Sequence, residues 1–214
     1  MNLLTEPRRL IFTIATVAAL TACSLPGPAQ QTEKQYFVLQ DQGVSTPVPG
    51  AVSKPCFSLR ITTPASAAGL NTTRMAYSTE PSRMDYFAYH EWIAPPAKMI
   101  ASLMETRLQA AGLFSAVMVG SPDVRTDLRL DSEVQVLQQD FSSKGDTLNL
   151  TIRVNLVEVK TRTLLGARTF SYREAADAEN AEAGVAAANR AVNRFMADLE
   201  IYLREIIRKE DCSG

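Results

Sequence analysis

The sequence predicts an α+β protein in which an antiparallel β-sheet is covered on one face by two helices. Apolar residues alternate with polar ones over residues 128–136 and 148–156, which is the period of strands with one buried face. Two further stretches, 96–111 and 180–208, repeat apolar residues at three- and four-residue steps, as amphipathic helices do. Hydrophobic residues make up 46% of the 214 residues and charged residues 21%, which suits a globular domain and excludes a polytopic membrane protein.

The N-terminus has the pattern of a secretory signal. Arg8 and Arg9 precede an apolar run over residues 10–20 that is too short to span a bilayer. Small residues then lead to Cys23, and residues 20–23 (Leu-Thr-Ala-Cys) resemble a bacterial lipobox. By that resemblance Cys23 becomes the first mature residue and carries covalent lipid. The alternative is an ordinary signal peptide with a chance cysteine.

We therefore predict three parts, which are a lipoprotein signal peptide over residues 1–22, a lipidated tether over 23–35 and a domain over 36–210. The tether is rich in Pro, Gly and Gln and almost lacks apolar residues, as flexible linkers do. Ser24 stands where enteric lipoproteins that stay in the inner membrane tend to carry Asp. It therefore favours the periplasmic face of the outer membrane, although other bacteria follow this rule less closely.

The domain begins with short strands between loops rich in turn residues. We predict these strands at residues 36–39, 57–61, 74–78, 86–89 and 114–119. Pro95 and Pro96 mark the start of the first helix, because proline suits a first helical turn, and Gly112 marks its end.

A meander of longer strands and a second helix follow. Leu128, Leu130, Val134 and Val136 are predicted to point to one face, and the return strand follows a turn over residues 141–146. After Leu156 the apolar parity switches, which indicates a bulge or an edge buried on both faces. A second turn at 161–162 leads to the last strand, 165–172. The helix from 180 to 208 is expected to pack on the sheet, and the opposite face is polar enough to be solvated or to bind a protein.

Cys56 and Cys212 are the cysteines that remain after lipidation of Cys23. The periplasm is oxidising, so we expect a disulfide between them that pins the C-terminal tail to the start of the sheet. The alternative is two free thiols. Neither cysteine lies in the Gly-rich or His-containing context of a catalytic nucleophile.

Charge and motif content argue against several functions. The 22 Lys and Arg nearly balance 23 Asp and Glu, whereas nucleic-acid binders normally carry a basic excess. His90 is the single histidine, and there is no Gly-x-Ser-x-Gly, phosphate-binding Gly loop or Cys-x-x-Cys motif. We therefore predict no enzyme activity, no catalytic residue, no metal site and no cofactor beyond the lipid on Cys23.

Four residues form a candidate docking patch, namely Arg74, Tyr77, Tyr86 and Trp92. Arg, Tyr and Trp are frequent anchors of protein interfaces, and these lie on short strands flanked by loops. The alternatives are an Arg–carboxylate pair with a half-buried tyrosine, and aromatic residues that cap the core beneath a helix N-terminus.

Several segments resemble the ABC-type transport auxiliary lipoprotein family, which includes the paraquat-inducible protein C lipoproteins. The resemblance covers residues 35–207, and its most specific part is Tyr86-Phe87-Ala88-Tyr89-His90-Glu91-Trp92-Ile93-Ala94-Pro95-Pro96. The other segments are 70–77, 110–117, 127–131 and 139–141. The chain departs from the family at Ala94, where members often carry Asp.

The resemblance implies a non-catalytic accessory subunit of an ABC system with MCE-domain proteins that moves lipids between the two membranes. The lipoprotein would bind the membrane through its lipid and dock an MCE-domain protein, and a docking collar would need a ring of identical subunits. Alternatives are a periplasmic carrier that binds lipid itself and a scaffold lipoprotein for envelope assembly. A hydrolase is the remaining alternative.

Overall fold

The computed structural model describes residues 33–43, 55–120, 123–142 and 146–209. The strands are β1 (Gln35–Phe37), β2 (Ser58–Ile61), β3 (Ala65–Ser66), β4 (Arg74–Ser78), β5 (Asp85–Trp92), β6 (Ala116–Val119), β7 (Leu128–Asp140), β8 (Thr147–Glu158) and β9 (Thr163–Ala175). The helices are α1 (Pro96–Ala110) and α2 (Ala181–Ile207). All of these elements belong to one compact unit, Lys34–Gly214. The predicted signal peptide and nearly all of the tether lie outside the described residues, and the three boundaries stay predictions.

Both helices begin and end where local chemistry favours it. Pro96 occupies the first turn of α1, and Gly112 adopts a left-handed backbone (φ +62°) just beyond its end. Asn180 caps α2, because its side chain accepts a hydrogen bond from the backbone N–H of Ala183 at 2.9 Å. The two predicted helices are thus confirmed, with shifts of one or two residues at their ends.

The α+β class with two helices is confirmed, but the sheet is mixed rather than antiparallel throughout. β7 pairs antiparallel with β8 along its whole length, and β8 pairs antiparallel with β9. The other edge of β7 pairs in parallel with β2, β3 and β4, which follow one another along it. β1 with β5 and β2 with β6 are also parallel. The physical reason is that β5 and α1 carry the chain back to the end of the sheet at which β2 begins, so that β6 and β7 run in the direction of β2 and β4.

Bulges decide which side chains face the helices. The β7–β8 register shifts between Val134 and Val136, so that Val134 lies opposite Ile152 and Val136 opposite Thr151. The prediction that Val136 shares the face of Val134 is therefore wrong, because the bulge at Gln135 reverses the alternation. The predicted irregularity after Leu156 is confirmed, because the β8–β9 register shifts between Leu156 and Val157.

The hydrophobic core lies between the helices and one face of the sheet. Its largest fully buried side chains include Leu59, Ile61, Ile100, Met104, Leu108, Leu130, Leu150, Ile152, Leu156 and Phe195. They come from the central strands and from both helices, which also contact each other. The sheet face away from the helices is called the open face below. It carries mainly polar side chains from β7 and β8, as the alternation predicted.

A buried charge cluster joins α1, α2 and the segment that follows β1. Arg107 of α1 lies 3.2 Å from a carboxylate oxygen of Glu200 and 3.3 Å from one of Asp41, and it donates to the Gly43 carbonyl at 2.9 Å. The three charged side chains are each exposed by about a tenth or less, at 9%, 9% and 10%. Sequence patterns contained no signal for this cluster.

Arg107→Ala is expected to reduce the free energy of unfolding by about 3 kcal/mol, because it removes the cation from the buried Asp41 and leaves the buried Glu200 with Arg204 alone. Urea denaturation followed by far-UV circular dichroism measures the change. The control is Arg129→Ala, because Arg129 and Asp131 are 37% and 33% exposed. That variant should cost less than about 1 kcal/mol. Equal losses in the two variants would contradict the special role of Arg107.

Gly184 of α2 lies where the helix approaches the buried side chain of Gln139. A methyl group at Gly184 would overlap Oε1 and Cδ of Gln139. Gln139 has little freedom to move, because its Nε2 donates to Asp146 at 2.9 Å and to the Asn180 carbonyl at 3.0 Å.

Gly184→Ala is therefore expected to destabilise the protein by about 1–2 kcal/mol through overpacking, although alanine is the better helix former. In a Gln139→Ala background the overlap is absent, and the same change should become neutral or stabilising. A double-mutant cycle of urea denaturation curves tests this reversal of sign. A constant effect of Gly184→Ala in both backgrounds would disprove the close approach.

Candidate docking surface

The open face beside β1 carries an ion pair between Lys34 and Glu91. The register places Glu91 opposite both Tyr36 and Arg74, so these side chains share that face. Lys34 Nζ lies 2.5 Å from Glu91 Oε1, and Thr73 donates a hydrogen bond to Glu91 Oε2 at 3.0 Å. The hydrogen bonds that Glu91 accepts from Lys34 and Thr73 lower the pKa of Glu91, and the bond that Lys34 donates raises the pKa of Lys34. The two charges thus neutralise each other at neutral pH.

Two of the four predicted docking residues lie together beside this pair. The guanidinium of Arg74 stacks on the ring of Tyr86 at 3.9 Å from its centroid, a cation–π contact. The Tyr86 hydroxyl donates to the carbonyl of Gly69 at 2.9 Å, which ties β5 to the loop before β4. Arg74 is exposed and Tyr86 is half-buried.

The other two predicted docking residues lie elsewhere, so the four do not form one patch. Trp92 is 4% exposed and belongs to the hydrophobic core. Tyr77 lies opposite Gln139 on the helix side, where its ring packs against Phe87 (centroids 4.9 Å apart) and Phe141 (5.6 Å). Trp92 is buried because side chains alternate along a strand: it follows Glu91 and therefore points to the face opposite that of Glu91. Whether Arg74 and Tyr86 dock a partner stays a prediction.

An exposed apolar group at the β1 edge was missed from the sequence. It consists of Tyr36, Val38, Tyr89 and Ile93, which are 57%, 46%, 47% and 58% exposed, and it is called the edge patch below. Exposed and buried side chains alternate in this segment: Tyr36 and Val38 are exposed, Phe37 between them is partly buried, and Leu39 is buried. Short segments of this kind are too brief to reveal the buried face by pattern alone.

A positively charged recess lies at the start of β2 and β7. It has a volume of about 460 Å³ and is lined by Arg60, Val124, Arg125, Thr126, Asp127, Val159 and Lys160. A neighbouring recess of about 330 Å³ shares Arg60 and extends to Arg129 and Asp131. Arg129 is neutralised by Asp131 at 2.8 Å. Asp127 is the one carboxylate among the described residues that line the larger recess.

Asp127 ties β2 to β7 through hydrogen bonds. It accepts from the backbone N–H and from the hydroxyl of Ser58, both at 2.7 Å, and these bonds lower the pKa of the Asp127 carboxyl. The carboxylate therefore holds the first residue of β2 beside the start of β7.

Asp127→Asn is expected to lower the free energy of unfolding at pH 7 by about 1 kcal/mol or less, because the bonds face solvent. The folded pKa lies below the unfolded value of 3.8. The carboxylate's contribution is therefore complete above that value and disappears as the pH falls through the folded pKa. The difference in free energy of unfolding between wild type and variant should narrow when urea denaturation is repeated at pH 3. Asp123→Asn, which changes an exposed aspartate nearby, is the control and should be neutral at both pH values.

His90 lies on the helix side rather than in a loop. Its ring packs between Phe37 (centroids 5.9 Å apart) and Phe87 (5.7 Å), and its Nε2 is 3.6 Å from Glu182 of α2. Across the described ranges, no three His, Cys, Asp or Glu side chains are grouped so as to hold a metal ion. In that same part of the chain, neither helix is long and apolar enough to cross a membrane.

Cys56, just before β2, is disulfide-bonded. Its predicted partner Cys212 and the predicted lipidation site Cys23 both lie outside the described residues. The lipid and the pairing of these two cysteines therefore stay predictions.

The fold and surface define an α+β domain whose sheet has one covered and one open face. Residues 37–200 match the family described as ABC-type transport auxiliary lipoprotein component. The chain belongs to this family, which confirms the resemblance and makes it a transport auxiliary lipoprotein. Membership also indicates a lipid-anchored protein of the cell envelope.

Two solved structures share the fold. One is a Xanthomonas campestris protein of family DUF330, which is 15% identical, with 82% of this chain and 97% of that chain covered and a TM-score of 0.72. The other is described only as an uncharacterized protein, at 14% identity, with 80% and 99% covered and a TM-score of 0.61. No curated protein matches the sequence. At these identities the likeness concerns the fold alone.

Proposed function

We propose that this chain is a non-catalytic accessory subunit of an MCE-type ABC transport system that moves lipids between the inner and outer membranes. The observation that carries the proposal is the family match over residues 37–200, which is to transport auxiliary lipoproteins. The lipobox at Cys23 supports attachment to a membrane, and Ser24 favours the periplasmic face of the outer membrane. ATP hydrolysis would belong to another chain of the system.

The open face is the surface proposed to dock the MCE-domain protein. Away from the β1 edge it offers the charged recess at Arg60, where Arg125 and Lys160 outnumber Asp127, the one carboxylate among the described lining residues. Such a distribution steers an acidic partner surface and fixes its register. A ring of identical subunits around the partner would follow if the contacts between them are heterologous and close.

We also propose that Cys56 pairs with Cys212. The pairing of Leu59 with Leu128, and of Leu128 with Glu158, places the start of β2 at the sheet end that carries the β8–β9 turn. The last turn of α2 lies over the same end, because Ile206 approaches Gly166 closely. Lipid on Cys23 would leave Cys212 as the partner of the disulfide-bonded Cys56.

Cys23→Ala is expected to release the protein from the envelope membranes into the periplasm and to impair lipid transport, because the lipid would supply the stable attachment to the membrane. Membrane fractionation, with circular dichroism to verify folding, measures the change. Ser24→Ala, which leaves the cysteine in place, is the matched control and should stay in the membrane. Full transport by the released protein would contradict the role of the anchor.

Cross-linking in intact cells followed by mass spectrometry identifies the partner. Recovery of an MCE-domain protein with its permease and ATPase is the expected result. Recovery of only an outer-membrane barrel or its assembly factors would instead favour a scaffold lipoprotein and overturn the transport role.

A further inference from the structure

Exposed apolar side chains concentrate at one edge of the sheet. Eight large hydrophobic side chains are exposed among the described residues, and four of them form the edge patch. The other four are Met84, Val124, Leu164 and Ile201, which come from separate elements. Single exposed apolar residues are ordinary on protein surfaces, whereas a group of them indicates an interaction.

The edge patch lies on one face of neighbouring strands. Tyr36 of β1 is opposite Glu91 of β5, so Tyr36 and Glu91 point the same way. Alternation then places Val38 with Tyr36, and Tyr89 and Ile93 with Glu91. The patch therefore belongs to the open face, opposite the core residue Trp92.

Two charges within the patch balance each other, and Arg74 beside them adds one positive charge. Lys34 and Glu91 lie among the four apolar side chains and form an ion pair at 2.5 Å. Paired charges are cheaper to bring near a lipid surface than single ones. Tyr36 and Tyr89 add rings with a polar hydroxyl, a combination that suits the boundary between lipid and water.

The place of the patch in the chain identifies its occupant. β1 follows the predicted tether directly, and Lys34 is eleven positions after the predicted lipid attachment site at Cys23. A linker of that length reaches at most about 40 Å when fully extended, and about 20 Å on average when flexible. The lipid therefore holds the patch close to the bilayer, and at such high effective concentration even a weak contact is populated.

We propose that the edge patch contacts the lipid bilayer surface and orients the anchored domain with its β1 edge toward the membrane. The proposal rests on the lipid anchor of the proposed function but needs no MCE-domain partner. A contact between the patch and a second copy or another protein is the competing outcome.

Spin labels on the lipidated protein test this contact. Ile93→Cys places a label in the patch, and Ile201→Cys is the matched control, because Ile93 and Ile201 are 58% and 56% exposed. Cys56 is disulfide-bonded and will not react, and mock labelling of the unsubstituted protein measures any other background. Vesicles of phosphatidylcholine and phosphatidylglycerol supply a bilayer without any transport protein.

The accessibility of each label to oxygen and to a water-soluble nickel complex is measured by power-saturation electron paramagnetic resonance. At residue 93 we expect a several-fold loss of nickel accessibility on vesicles, with a gain in oxygen accessibility, and at residue 201 no change. Equal accessibility at both residues would overturn the proposal. So would protection at residue 93 that disappears when the protein is diluted to one molecule per vesicle, since that result assigns the patch to a second copy.

Hydrogen exchange of the protein without substitutions removes any dependence on the cysteine variants. Peptides from β1 and β5 should exchange more slowly on vesicles than in the unlipidated Cys23→Ala protein, while peptides from β9 should not change. Unchanged exchange in β1 and β5 would overturn the contact even if the transport complex is recovered from cells, so the two proposals fail separately.

Discussion

The whole sheet depends on β7, because this strand pairs along both of its edges. Its 13 residues bind β8 on one side and, in succession, β2, β3 and β4 on the other. The segment from β2 to β4 therefore acts as one interrupted strand that follows β7 in parallel. Each of its pieces is too short to be stable alone, so their positions are set by hydrogen bonds to β7. The mixed topology follows from this arrangement together with the crossover through α1.

The β1 edge is held by side chains rather than by a long strand. β1 has three residues, and the segment after it is fixed by Leu39 in the core and by Arg107 beneath Asp41 and Gly43. Side chains of α2 complete the attachment, because Asn189 accepts from the backbone N–H of Gln40 and Asn193 from those of Gln42 and Gly43. The buried charge cluster and the two asparagine side chains thus fix the segment that follows β1, and with it the place of β1 at the edge of the sheet.

Sequence patterns predicted features that are set within a single helix or strand and missed features that depend on the pairing of two strands. The long helix α2 was predictable, because the Asn180 cap and the three- and four-residue repeat lie within one stretch. Parallel pairing was not, since alternation shows which face of a strand is buried but not which strand lies beside it. The place of Val136 depended on a bulge against β8, and the place of Trp92 on the register with β1. Trp92 and Tyr77 therefore lie away from the other two predicted docking residues, Arg74 and Tyr86, which contact each other.

An anchored domain needs an orientation as well as an attachment, because a flexible tether alone leaves the docking face free to turn in any direction. β1 and β9 lie at opposite ends of the strand order, with β7 between them. A bilayer contact at the β1 edge would therefore direct the β9 edge away from the membrane, toward a partner that approaches from the other side. Loss of the edge patch would then reduce the rate of docking rather than the strength of the docked complex, since orientation changes the frequency of productive encounters and leaves the final contacts intact.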